Sequence, residues 1–65
     1  MNWICKLSNE ELVGEIKATR SFIECLITLI KEKEKDFSVA MLREILRANK
    51  ETLSELEFEI LIRSL

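Results

Sequence analysis

The sequence predicts an all-α fold, an antiparallel helical hairpin of two long helices, on three observations. Proline is absent and glycine occurs once, at Gly14, which leaves almost no punctuation for strands and tight turns. Leu, Ile, Glu and Lys dominate, and all of them are compatible with long helices. Apolar residues recur at alternating spacings of three and four along two stretches of matching length, the pattern of helices that bury one stripe against a neighbour.

The 65 residues are read as one helical domain, residues 1–65. Its expected parts are a lead (1–7), a first helix (8–35), a turn (36–38) and a second helix (39–64). A chain this short buries only about 60% of the surface its unfolded form exposes, so its core needs supplementing. Metal is disfavoured, because histidine is absent and two cysteines do not complete a tetrahedral site. Cys5 and Cys25 form one possible pair and no disulfide framework. Oligomerisation and helix packing remain.

In the lead, Trp3 and Ile4 are expected to fold back onto the helices. The first helix has the sharpest local signal in the chain. Ser8-Asn9-Glu10-Glu11 fits a capping box, with Leu7 and Leu12 placed as a hydrophobic staple. Glu10, Glu11 and Glu15 put negative charge at the positive end of the helix dipole. The stripe then runs Leu12, Ile16, Thr19, Ile23, Leu26 and Ile30. From Phe22 to Ile30 the apolar surface widens beyond what one partner helix covers, with Phe22, Cys25, Ile27 and Leu29 added. Cys25 is expected to behave as a small buried hydrophobe.

Lys31-Glu32-Lys33-Glu34-Lys35 reads as a solvated helix end. Asp36-Phe37-Ser38 reads as the turn, with Asp36 or Ser38 capping the second helix and Phe37 tucked under the corner. The second stripe is Val39, Leu42, Leu46, Asn49, Leu53, Leu56 and Ile60. Asn49 is either a buried polar group that fixes register or the mark of a break. Thr52-Leu53-Ser54-Glu55 is a second possible capping box, so the alternative fold is a three-helix bundle broken near Asn49–Thr52. Phe58, Leu61, Ile62 and Leu65 lie off the stripe, where Trp3, Ile4 and Val13 could cover some of them.

Catalysis has little to work with: histidine and tyrosine are absent, and there is no glycine-rich phosphate loop. The sequence therefore predicts a non-enzymatic protein with no catalytic residue, cofactor or metal. Arg43, Arg47 and Lys50 share a helix face and could contact phosphates. Nearby Glu44 and Glu51 and a net charge of −2 favour a solvated face with a pair such as Arg47–Glu51 over nucleic-acid binding. No run reaches the roughly 20 apolar residues of a membrane span, and no secretion signal is visible, so a cytoplasmic protein is expected. Function is expected to lie in the surplus apolar surface, at Phe22, Ile27 and Leu29 and at Phe58, Leu61, Ile62 and Leu65. It would bind another helical protein, as a regulator, chaperone or adaptor, or a second copy of itself in a helical bundle.

Lys6-Leu7-Ser8-Asn9-Glu10-Glu11-Leu12, Lys17-Ala18-Thr19 and Phe22-Ile23-Glu24 resemble the Sda-type inhibitors of sporulation histidine kinases, which are small helical hairpins. The resemblance covers less than half the chain, and that family's turn before the Phe-Ile-Glu segment is missing. It implies a hairpin that binds a kinase. In length and architecture the chain is also similar to the hairpin co-chaperones of type III secretion needle subunits, which hold a partner's helices with apolar faces. A group of small sporulation-associated phosphatases shares the hairpin but carries Ser-Gln-Glu-Leu-Asp, from which Ser54-Glu55-Leu56-Glu57 departs.

Overall fold

A computed structural model describes residues 3–32 and 38–65; Asp36, Phe37, the end of the charge run and the side chain of Ser38 lie outside the described residues. A short 3₁₀ helix (Trp3–Lys6) precedes two long helices, α1 (Asn9–Glu32) and α2 (Ser38–Arg63), which pack as an antiparallel hairpin. The fold is all-α, as composition and periodicity predict.

Ser8 caps α1 through the expected reciprocal pair. The Glu11 amide donates to Ser8 Oγ at 3.1 Å, and the Ser8 amide donates to Glu11 Oε1 at 2.8 Å. These bonds satisfy two amides that the first helical turn leaves open. The Ser8 backbone amide, then the Ser8 hydroxyl, hold the Glu11 carboxyl below the usual carboxylate range. A lowered folded-state pKa gives stability that is present above the unfolded value and lost as pH falls through the folded one. Loss of the hydroxyl cap in Ser8→Ala is expected to cost about 1 kcal/mol in urea unfolding at neutral pH. The backbone amide of residue 8 stays in that variant, so Glu11→Ala tests the carboxylate arm: its stability gap from the parent chain should narrow as the pH falls through the carboxylate range, and a gap that stays constant in acid would show that the arm contributes nothing.

The inward stripe of α1 is the predicted one. Leu12, Ile16, Ile23 and Leu26 are buried, with Thr19 and Ile30 half-buried. On α2, Val39 and Leu56 are buried and Leu42, Leu46, Leu53 and Ile60 are half-buried along the same face. A tight cluster of Ile4, Leu12, Ile16 and Leu56, joined by Leu7, Leu53 and Ile60, sits at the open end of the hairpin. Ile4 folds back as expected and is among the three most deeply enclosed side chains, while its neighbour Trp3 stays half exposed.

α2 runs without interruption through Asn49–Thr52, so the three-helix alternative is not adopted. The local hydrogen bonds show why. Asn49 Nδ2 donates to the Ile45 carbonyl at 2.8 Å and Thr52 Oγ1 to the Ala48 carbonyl at 3.1 Å. Each side chain is satisfied one turn back on its own helix, so neither has to cap a new helix or find a polar partner across the seam.

One expectation is overturned. Cys25 is exposed, as is Cys5. A single neighbouring helix covers only one stripe, and Cys25 lies well round the helix from Ile23 and Leu26.

Candidate protein-binding surface

The two lateral flanks of the hairpin differ in chemistry. One flank is fixed by the ion pair between Arg20 of α1 and Glu57 of α2, at 2.5 Å. Beside it runs a shallow groove lined by Val13, Ile16, Lys17, Arg20, Glu57 and Ile60. Lys31 and Glu24 follow on α1 at helical spacing, and Arg43 and Lys50 on α2. Both members of the Arg20–Glu57 pair are well exposed, so it is worth at most about 1 kcal/mol. Its main value is as a marker of how the helices are turned.

The opposite flank is apolar. On α1, Ala18, Phe22, Cys25 and Leu29 follow one another at spacings of four, three and four, on the side away from Arg20. On α2, Met41, Ile45, Ala48 and Thr52 do the same on the side away from Glu57. Phe22, Leu29, Met41 and Ile45 are all exposed, Met41 to 70%. A shallow depression lined by Ser21, Glu24, Cys25, Thr28 and Leu29 runs along the outer edge of α1.

Toward the open end the same flank is occupied. Glu59 lies two turns beyond Thr52, and the Cys5 thiol donates to its Oε1 at 3.8 Å. Arg63 clasps the lead in place. Its Nε donates to Glu59 Oε2 at 2.9 Å, its Nη1 to Asn9 Oδ1 at 2.9 Å, and its Nη2 to the Ile4 and Cys5 carbonyls at 3.4 Å. The lead thus covers one half of the apolar flank, and the half nearer the turn is bare. Arg63 and Glu59 are not among the residues that the sequence marks as functional. Their one signal is a spacing of four on a helix, the geometry of an acid–base pair.

Phe22 and Leu29 therefore stand together, with Met41 and Ile45 beside them. Ile27 does not join them. It lies two turns beyond Arg20, on the charged flank, and is half-buried. The second predicted patch is separate: Phe58, Leu61, Ile62 and Leu65 project from the outer side of the α2 C-terminus. Phe58 is 62% and Leu61 60% exposed, and Leu65 is almost fully so. Ile4 turns into the core and leaves this patch largely uncovered.

The basic face of α2 is partly spent. Arg47 is bonded to Glu44 and, at 2.6 Å, to Glu51. The Arg47 guanidinium holds the Glu44 carboxyl below its ordinary range, and the two carboxylates push Arg47 further up. A phosphate would have to displace both carboxylates. Among the described residues no group of three or more His, Cys, Asp or Glu side chains could hold a metal. Among the same residues, no helix is long and apolar enough to cross a membrane.

The chain matches no protein-family model, no curated protein and no solved structure.

Proposed function

We propose that this is a non-enzymatic protein-binding module, a small cytoplasmic regulator, chaperone or adaptor that works through its uncovered apolar helix faces. The observation that carries the reading is the bare flank: Phe22, Leu29, Met41 and Ile45 stand exposed together on two adjacent helices. Contiguous apolar patches on small proteins mark interaction sites more often than not. The elongated shape supports it. The radius of gyration is 13.9 Å, against about 11 Å for a compact chain of this length. The accessible surface is 5093 Å², about 800 Å² more than a compact monomer of this mass exposes.

The reading is tested by replacing Phe22, and separately Phe58, with a photo-reactive phenylalanine analogue and irradiating cells that express the chain. Covalent adducts are expected from position 22, to another protein or to a second copy. The same analogue at Lys17, on the charged flank, should give few. Absence of any adduct from both position 22 and position 58 would reject the proposal.

A further inference from the structure

On the charged flank we infer a second binding surface: its half nearer the turn docks an acidic amphipathic helix of another protein, whose carboxylates meet Lys31, Arg43 and Lys50. The surface lies on the side of the hairpin away from Phe22 and Met41 and is independent of the bare flank.

The state of its cations singles it out. Of the four arginines, Arg20, Arg47 and Arg63 each hold a carboxylate. Arg43 holds none among the described residues, and neither do Lys31 and Lys50. All three are exposed. No acidic residue stands three or four positions to either side of Arg43 or of Lys50, so both lack the neighbour that pairs along a helix. The chain has 12 acidic residues against 10 basic ones. Unpaired positive charge gathered on one face is therefore not a product of composition.

The spacing of these cations fits a helix. The Arg20–Glu57 pair gives the register of α1 against α2. Equal steps from it toward the turn bring Ile27 level with Lys50, and Lys31 level with Leu46. Ile27 and Leu46 are half-buried and form an apolar floor between the two rows. Arg43 stands two helical turns from Lys50, about 10 Å, and Lys31 falls between them on the other edge. The strip thus offers cations on both edges of a short apolar furrow. Its complement is a helix with its apolar stripe in the furrow, acidic residues two turns apart on the α2 side and another between them on the α1 side.

The same pattern disfavours a nucleic acid. Glu24 and Glu57 stand on this flank, Arg47 is held by Glu44 and Glu51, and a phosphate backbone has no use for the apolar floor. Lys17 lies outside the surface, on the open-end half of the flank, and Arg20 is already neutralised by Glu57.

The probe is a short synthetic amphipathic peptide, with leucines on one face and glutamates on both edges of it, followed by fluorescence anisotropy. It should bind, and bind more tightly as salt is lowered. The same peptide with glutamine for glutamate should bind at least about tenfold more weakly. Arg43→Glu with Lys50→Glu in one chain should weaken binding about tenfold or more, and Lys31→Glu alone about threefold, with helical circular dichroism kept in both. Phe22→Glu should change it by less than about twofold. No binding at low salt overturns the inference, and so does equal affinity for the two peptides. Binding lost in Phe22→Glu but kept in both charge variants also overturns it, because the peptide then sits on the apolar flank. A single-stranded oligonucleotide that binds more tightly than the peptide, and is released by the Arg43 and Lys50 reversals, overturns it in favour of a nucleic acid.

Discussion

Leu12→Ala is expected to unfold most of the protein at room temperature. Leu12 is 0% exposed and packs with Ile4, Ile16 and Leu56 in the cluster that closes the open end. Truncating a fully enclosed leucine costs about 2–5 kcal/mol, the lost transfer energy plus the cavity left behind. A single core in a chain below about 70 residues supplies only about 3–5 kcal/mol in all. The loss is thus comparable to the whole stability, and a two-helix protein has no second core to fall back on. Urea titration followed by circular dichroism, at one fixed protein concentration, measures it. Leu61→Ala is the control: at an exposed position it should change stability by no more than about 0.5 kcal/mol. A Leu12→Ala chain that kept more than half of the parent's unfolding free energy would mean that the open-end cluster does not hold the hairpin together.

The second large effect is expected at Arg63. Its side chain is 22% exposed and holds Glu59, Asn9 and two lead carbonyls at once. Hydrogen bonds that involve a charged group contribute about 1.5–3 kcal/mol each in good geometry, and the two at 3.4 Å fall short of that. Arg63→Ala should therefore cost about 2–3 kcal/mol in total. Trp3 is the sole tryptophan and sits in the clasped turn, so it reports directly. Its quenching by acrylamide should rise towards that of a free indole in Arg63→Ala. Arg63→Lys should recover only part of the effect, because an ammonium lacks the planar fork that reaches Glu59 and the lead together. Unchanged quenching in Arg63→Ala would show that Ile4 alone anchors the lead.

The parts of this fold that are legible in the sequence are those written at short range. The Ser8–Glu11 box is complete within four residues, and it forms as expected. The two stripes repeat every three or four residues, and the buried positions fall on them from Leu12 to Leu26 and again at Val39 and Leu56. What is not legible lies between residues far apart. Arg63 meets Ile4 across 59 positions, and no local pattern says that the last turn of α2 will hold the first turn of the chain. Cys25 departs from expectation because a dense apolar run looks buried on all sides, whereas in a hairpin each helix has only one neighbour to bury against. The grouping of Phe22 with Met41 and Ile45, and the separation of Ile27 from them, depend on how the helices are rotated about their axes. That rotation shows only in contacts such as Arg20–Glu57, which join residues 37 apart.

The placement of the tight cluster at the open end has a mechanical consequence. Trp3–Lys6 and the end of α2 lie side by side at the open end, joined there by the Arg63 clasp and by the Ile4, Leu12 and Leu56 contact. A pull on the two termini would load that contact first and peel the helices apart from there towards the turn, one layer at a time, instead of shearing all layers together. Tethered by both ends, the protein would resist force only as well as its first layer does. Anchored by one end, it would carry load through a helix and leave that layer unstressed.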